Sequence, residues 1–245
     1  MSHRRPRVRI ALPAYNEEDT LGSSVMWLHG FCLATLDAYD WSLLIVNNGS
    51  ADATGTAADR LSVRHPRIEA LHLPQAGRGG ALLHAARLPG ADYLVYMDVD
   101  LSTDLHALPR VLSALDAGAD LVVGSRHHPA ARVQRGLYRD LLSRGYNLLL
   151  RTVMRTQSFC DAQCGFKAMR LASLRPLLEK ILDRSWFFDT ELLVLAEFGG
   201  LQVVEIPVRW IEDPDSRVDV ASIIPQYLLG VLRLRLTARK TGGGI

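Results

Sequence analysis

Cysteine and lysine are scarce in this chain, and long apolar runs are missing. Its three cysteines, Cys32, Cys160 and Cys164, cannot build a disulfide framework and fall short of a metal-ligand set. A reduced, cytoplasmic compartment is the expectation. No uninterrupted apolar run approaches the roughly 18 residues a membrane helix needs, so the chain is not expected to span a bilayer. The basic segment from Met1 to Arg9 lacks the apolar core of a signal peptide. Neither a dinucleotide fingerprint nor a P-loop occurs at the required spacing. The net charge is only +2, which removes any global case for nucleic acid as a partner.

What the chain does have is an ordinary soluble composition, 48% hydrophobic and 22% charged over 245 residues. That length fits one large domain or two small ones and is ample for a core. No repeat or long linker divides it. The positive charge is uneven: arginine outnumbers lysine 25 to 3, and several arginines cluster.

The first half alternates strand-like and helix-like stretches. Strands are expected over residues 8–13, 41–46, 68–73, 93–97 and 121–124. Helices are expected from Glu17 and Glu18 onward, from Ser50 or Asp52 to about Val63, and over 79–87 and 105–115. This alternation predicts an α/β fold, a mostly parallel sheet with helices on both faces and ligands at the carboxyl ends of its strands. In the second half, residues 127–136 read as a polar loop and 137–153 as an amphipathic helix. A short strand is expected over 165–169, a helix over 188–198, a strand over 201–210 and a helix over 221–240 despite Pro225.

Four polar turns fall on the same predicted sheet edge: 13–18, 46–52, 75–80 and 97–100. Asp98 and Asp100 stand one residue apart, and on an extended chain both would point the same way. Two hard oxygen ligands there suit Mg²⁺ or Mn²⁺ bridging a diphosphate, and acidic turns or helix caps produce the same pattern. Asn47 and Asn48 offer amides to a base or ribose. Gly77, Gly79 and Gly80 permit close backbone approach to an anion, and Arg78 adds charge.

Pro13-Ala-Tyr-Asn-Glu17, Asn47-Asn-Gly-Ser50, Gly77-Arg-Gly-Gly80 and Asp98-Val-Asp-Leu101 together resemble the inverting family 2 glycosyltransferases. Gly124-Ser-Arg126, Asp161-Ala-Gln-Cys-Gly-Phe-Lys167, Phe188-Asp-Thr-Glu-Leu192 and Glu205-Ile-Pro-Val208 narrow the likeness. They resemble the dolichyl- or polyprenyl-phosphate sugar transferases, the glucosyl branch above all, over about residues 8–218. The resemblance implies a single nucleotide-diphospho-sugar transferase (GT-A-like) domain over 1–218, with 219–245 as a basic amphipathic helix and tail. It implies a nucleotide diphosphate sugar as donor, UDP-glucose favoured, and a polyprenyl phosphate as acceptor.

By the same resemblance, Pro13, Ala14, Tyr15 and Glu17 line the nucleotide pocket with Asn48, Gly77, Arg78 and Val99, and Asn47 faces the base. The family usually carries an acidic residue at both positions held here by Asn47 and Asn48. Asp98 and Asp100 would hold the metal and diphosphate, with Ser102 where a third ligand can stand. Arg126, Arg139, Ser143 and Arg217 match the clamp for the lipid phosphate; guanidinium forks suit phosphate oxygens. Arg139 and Ser143, four apart, share a helix face. Arg132, Arg135, Arg151 and Arg155 read as a solvated basic face, His127 and His128 as surface residues, and Cys160 and Cys164 as packed or loop residues. Trp186, Phe187 and Phe188 suit either the core or a sugar or prenyl chain.

Two other functions fit the same residues. A hydroxyl acceptor on a soluble natural product or glycan would need a base, which Asp161, Asp189 or Glu191 would supply. A non-catalytic nucleotide-sugar-binding domain would need neither. A lipid acceptor requires contact with a membrane surface or a membrane partner. Residues 221–240, apolar from Ile223 to Leu232 and ending in Arg233, Arg235, Arg239 and Lys240, are either a helix packed on the domain with solvated arginines or a peripheral anchor at the inner face.

Overall fold

Continuous apolar runs become strands buried on both sides, and the polar residues that stop them become the turns of one sheet edge. The computed structural model describes residues 4–212 and 220–240. In chain order the first half comprises β1 (Arg7–Ala14), α1 (Leu21–Thr35), β2 (Asp40–Asn48), α2 (Thr54–Arg64), β3 (Ile68–Leu73), α3 (Arg78–Arg87), β4 (Tyr93–Tyr96), α4 (Ala107–Asp116) and β5 (Leu121–Ser125). The second half adds β6 (Arg132–Gln134), α5 (Leu137–Met154), β7 (Lys167–Arg170), α6 (Leu171–Leu178), α7 (Phe188–Phe198), β8 (Val203–Pro207), β9 (Arg209–Ile211) and α8 (Val220–Lys240).

Seven strands form one sheet in the order β3-β2-β1-β4-β7-β5-β8, and β6 pairs with β9 in a separate ribbon. All pairings in the large sheet are parallel except those of β7, which runs antiparallel between β4 and β5. Burial on both faces explains why β1, β2, β4 and β5 read as unbroken apolar runs: Ile10, Leu12, Leu43, Ile45, Val95 and Val122 are wholly inaccessible. Because β7 is reversed, its first residue, Lys167, sits opposite Tyr96 at the carboxyl end of β4. The chain thereby enters the sheet at the edge where the other strands leave it.

The expected elements differ from the structure in four places. Helix α1 starts at Leu21 rather than near Glu17, because residues 17–20 form a turn closed by Leu21 N–H donating to Glu17 O (2.9 Å). The single strand expected over 201–210 is two, for Val208 is buried between β8 and β9 while its N–H donates to Ser125 O (3.2 Å). β9 then leaves the large sheet to pair with β6, inside what read as a loop. Helix α6, with Pro176 inside it, was not anticipated.

Helix α8 lies against the domain through Tyr227, Val231 and Leu234. The Tyr227 ring meets Tyr146 edge-on at 4.8 Å and Phe187 at 5.8 Å, and its hydroxyl donates to Trp186 O (3.1 Å). Arg233 is not solvated as one reading of this helix had it: its Nη2 donates to buried Glu191 at 2.8 Å. Among the described residues, no helix is long and apolar enough to cross a membrane.

Close backbone packing at the start of α3 gives a stability test. A Cβ on Gly79 would lie 2.6 Å from Phe188 Cβ and 2.9 Å from the Arg184 carbonyl carbon, whereas one on Gly30 in α1 meets nothing within 4 Å. Gly79→Ala is expected to destabilise by about 2 kcal/mol through overpacking. Gly30→Ala is expected to stabilise by about 0.5–1 kcal/mol through helix propensity. Urea midpoints of the two variants should move in opposite directions.

Candidate active site

Three turns at the carboxyl edge are knitted by side chain to backbone hydrogen bonds. After β1, Asn16 adopts a left-handed backbone (φ 54°) that asparagine tolerates better than most residues. Its N–H donates to Ser50 Oγ (3.0 Å), and its Oδ1 accepts from Ala51 N–H (2.9 Å). Glu17 N–H donates to Thr54 Oγ1 (2.8 Å), so the Pro13–Glu17 turn is held against the start of α2. Ala14 is buried, while Tyr15 presents an exposed ring. Asn48, at the end of β2, is buried and accepts from Gly77 N–H at 3.0 Å.

The glycine turn, expected to let an anion approach the backbone closely, directs its amides into the protein. Gly79 N–H donates to Ser185 O (3.1 Å) and Gly80 N–H to Arg184 O (2.9 Å), so the first donors of α3 are already satisfied inside the protein. The glycines are small because the 184–188 segment crosses directly over them. Arg78 does lie at the edge, and it faces inward.

The Asp98–Asp100 pair is a turn and not an extended strand end, which overturns the alternation argument for their direction. β4 stops at Tyr96, Leu101 N–H donates to Asp98 O (3.2 Å), and Leu101 has φ of 54°. Asp100 Oδ1 accepts from Ser102 N–H (2.9 Å), and both residues line an open cleft of about 410 Å³ with Leu101, Asp104, Arg209 and Glu212. The Asp98 side chain is 44% exposed; Arg78 engages its Oδ1 at 2.8 Å, and a Cβ on Gly165 would come within 2.0 Å of its Oδ2. Gly165 thus leaves room for that carboxylate. No three His, Cys, Asp or Glu side chains converge among the described residues. Two carboxylates with a hydroxyl nearby are nevertheless a fitting oxygen set for Mg²⁺ or Mn²⁺ when substrate phosphates complete the shell.

Behind Asp98 lies a buried charge cluster. Asp189, at the start of α7, accepts from Arg78 Nη1, from Lys167 Nζ (2.7 Å) and from the Tyr96 hydroxyl (2.8 Å). Burial alone would raise its carboxyl pKa, but Lys167 and Arg78 hold it below the ordinary range. Lys167 is wholly inaccessible and also donates to Cys164 O (2.5 Å) and Ala162 O (3.3 Å). Phe187 and Phe188 belong to the core, and Trp186 is partly exposed.

On the other side of the cleft Arg126, at the end of β5, is buried against Asp161. Its Nε and Nη2 donate to the two carboxylate oxygens at 2.7 and 2.9 Å, and its backbone N–H adds a third bond at 3.0 Å. Burial would raise the Asp161 carboxyl, yet Arg126 holds it well below the usual range. Ser143 on α5 is buried, donates to Gln163 Oε1 (3.0 Å) and lies 3.0 Å from His127 Nε2. His127 is therefore not a surface residue; it is half-buried against α5, and desolvation lowers its pKa. Arg139 Nη1 donates to Glu212 Oε1 at 2.9 Å. Arg217 lies outside the described residues.

Arg135 is also not the solvated residue expected. Its guanidinium stacks 5.5 Å from the Trp210 ring, with Nε and Nη1 buried and without a hydrogen-bond partner among the described residues. Arg126 approaches the same ring at 5.5 Å. Arg132, Arg151 and Arg155 are exposed. Cys160 is half-buried and Cys164 is buried, where desolvation pushes its thiol up to about 11.

Comparison with known proteins identifies the family and the fold. The family model for glycosyl transferase family 2 matches residues 9–178. Glycosyltransferase AglD of Haloferax volcanii is 35% identical over 96% of this chain, which spans only 39% of that protein's length. Dolichyl-phosphate beta-glucosyltransferase ALG5C of Trichomonas vaginalis is 31% identical, covering 87% of this chain and 66% of its own length. Polyprenol monophosphomannose synthase of Mycolicibacterium smegmatis is 33% identical over 84% of this chain and 78% of its own. A solved glucosyl-3-phosphoglycerate synthase from Mycobacterium tuberculosis, in complex with Mn²⁺, UDP-glucose and phosphoglyceric acid, shares the fold with a TM-score of 0.71. It is 18% identical and covers 94% of this chain and 79% of that one.

The chain belongs to glycosyl transferase family 2. It has the mostly parallel, GT-A-like α/β fold and is similar in sequence to dolichyl- and polyprenyl-phosphate sugar transferases. Its relatives include glucosyl and mannosyl enzymes, so kinship does not fix the sugar.

The Arg126–Asp161 pair predicts an acid-sensitive contribution to stability. A carboxyl held below its unfolded value near 4 stabilises fully above that pH and loses its effect as pH falls through the native value. Asp161→Asn leaves the Arg126 charge buried without a counter-ion and is expected to cost about 3–5 kcal/mol near neutral pH. The gap in urea midpoint between parent and variant should narrow below about pH 4. A gap that widens in acid would contradict the assignment.

Proposed function

We propose that this chain transfers a hexose from a nucleotide diphosphate sugar to a polyprenyl phosphate, with inversion at the anomeric carbon. One observation carries the choice of acceptor. The carboxylates that an alcohol acceptor would need as a base are all engaged: Asp161 by Arg126, Asp189 by Arg78 and Lys167, and Glu191 by Arg233 and two backbone N–H groups. The Asp161 and Asp189 carboxyls are depressed by those partners, which makes them poor proton acceptors. A phosphate monoester, with a second pKa of about 6, arrives largely dianionic and needs no base.

On the donor side, Pro13, Ala14, Tyr15 and Glu17 line the nucleotide pocket, Asn47 faces the base, and Asn48, Gly77 and Val99 border it. Asp98, Asp100 and Ser102 hold the divalent ion with the diphosphate. A bound Mg²⁺ or Mn²⁺ supplies charge stabilisation for the leaving diphosphate. Arg78, fixed by Asp189, holds Asp98 in position. Arg139, Ser143 and Arg217 bind the acceptor phosphate, and Arg126 reaches it through Nη1, the nitrogen that Asp161 does not engage. The acceptor attacks from the face opposite the diphosphate, which inverts the configuration. UDP-glucose is the favoured donor, supported by the likeness of the Asp161–Lys167 segment to the glucosyl branch.

A donor panel assayed with a short polyprenyl phosphate, the products identified by mass, tests this reading. Glucosyl transfer from UDP-glucose to the lipid phosphate is expected, and transfer only to soluble hydroxyls would sink it. Asp100→Asn should keep the fold and weaken metal-dependent UDP binding at least tenfold, about 1.4 kcal/mol. Calorimetry in Mn²⁺ reads this directly.

The acceptor also requires a bilayer surface, and α5 with α8 provides a face for one. Leu137, Leu141 and Leu148 on α5, and Ile224, Leu228, Leu229, Leu232 and Leu236 on α8, are exposed, and α8 carries no acidic residue. These exposed apolar side chains support peripheral attachment to a membrane as our reading, with the inner face expected from the compartment. Flotation with anionic liposomes at low salt is expected to carry the protein, and Leu228→Glu with Leu232→Glu should release it. Flotation unaffected by both substitutions would move the membrane contact elsewhere.

A further inference from the structure

The end of β2 carries an arrangement that the chemistry above does not use. Asn47 Oδ1 accepts from Ser50 N–H at 3.3 Å, and Asn47 Nδ2 stands 3.0 Å from His72 Nδ1. His72 Nε2 in turn lies 2.8 Å from Asp59 Oδ1. A backbone N–H can only donate, so it identifies the asparagine oxygen, and the other amide atom is the nitrogen. An NH₂ group facing His72 requires an accepting Nδ1, so the imidazole proton sits on Nε2, where Asp59 accepts it. Every member of the chain Asp59–His72–Asn47 has one consistent role. The amide is also walled in: a Cβ on Gly55 of α2 would lie 2.8 Å from Asn47 Nδ2.

The consequence concerns recognition. An asparagine amide is nearly symmetric in shape, and a half-turn exchanges its donor and acceptor. Free to turn, it matches either order of donor and acceptor on a base edge. Held as here, it keeps one N–H and one carbonyl lone pair, in fixed order, without a partner among the described residues. Read from position 4 to position 3, uracil presents the O4 acceptor and then the N3–H donor; cytosine presents the N4–H₂ donor and then the N3 acceptor, the reverse order. A carboxylate in place of Asn47 would only accept.

We infer that His72, backed by Asp59, is a positioning residue that sets the nucleobase preference by holding the Asn47 amide in a single donor–acceptor order, with uracil, the base of the favoured donor, as the edge it is matched to. This rests on the reading that Asn47 faces the base of a nucleoside diphosphate donor. His72 and Asp59 act through Asn47 and touch no reacting atom.

The test is calorimetric titration of the full chain with UDP, CDP and GDP in Mn²⁺. The parent protein is expected to bind UDP at least 10-fold more tightly than CDP, within the range of one well-formed pair of hydrogen bonds to a base. His72→Phe, which removes the acceptor, is expected to shrink that preference to about 3-fold or less. His72→Asn, whose Oδ1 can stand where Nδ1 stood, is expected to restore most of it. Asp59→Ala, at a 63% exposed side chain, frees the tautomer without touching the core and should lower the preference as well. A preference unchanged in both His72→Phe and Asp59→Ala overturns the lock and leaves the donor reading standing. A parent preference for CDP overturns the assignment to uracil. Failure of the parent to bind any of the three nucleotides overturns the donor reading itself.

Discussion

A carboxylate sealed inside the protein, that of Asp189, is answered by Arg78 from α3 and Lys167 from β7, with the Tyr96 hydroxyl of β4 as a third donor. An ion so placed is tolerable only when every partner is present, because its desolvation is large and removing one partner leaves the others buried and uncompensated. Four elements, α3, β4, β7 and the α7 that carries Asp189, are thereby obliged to meet at one point. Arg78 extends the arrangement to the cleft by holding Asp98, so the acidic turn is fixed from behind by groups that solvent does not reach. The glycines at the start of α3 serve the same end, since they let the 184–188 segment pass close enough for Asp189 to reach Arg78.

The ion pairs around Arg126 and Arg139 repeat the principle with different residues. Arg126 and Asp161 form a two-point pair inside the protein, while Arg139 pairs with Glu212 nearer the surface. Positive charge at the cleft is thus partly neutralised before any ligand arrives. Any anion that binds these guanidinium groups must compete with carboxylates, which favours a fully charged group over a neutral one. The same pairs that engage the Asp161 and Glu212 carboxylates hold the arginines in a fixed geometry.

Much of the fold was legible because its strands are buried on both faces. Residues 93–97 and 121–124 stand out as apolar runs with turn residues at their ends, and the polar turns after β1, β2 and β4 follow from the parallel order. The ribbon of β6 and β9 was not legible, since three-residue strands with exposed ends carry no periodic signal. The direction of Asp98 and Asp100 misled for a local reason: Leu101 takes a left-handed backbone that nothing in its side chain announces. The ion pairs were out of reach for a different one. Arg78 and Asp189 are 111 residues apart and Arg126 and Asp161 are 35 apart, and a single sequence shows which charges exist but not which ones meet. His127 and Arg135 looked like solvated residues of a polar loop; α5 and Trp210 bury them, and that burial is tertiary.

The reversed strand β7 also governs the order in which the sheet can assemble. β4 and β5 follow one another in sequence, yet they never pair, because a strand made only after α5 lies between them. A chain emerging from its N-terminus can form β1 to β4 as a local parallel layer, but β5 has no neighbour until β7 arrives. Such non-local pairing raises the contact order and slows folding, and it leaves the edge of β4 open in the meantime. The strand that closes this gap begins with Lys167 and carries its ammonium into the interior beside Asp189. Zipping the two halves of the sheet together and sequestering the charge cluster are therefore a single cooperative step, and a nascent chain lacking β7 would be in two unjoined pieces.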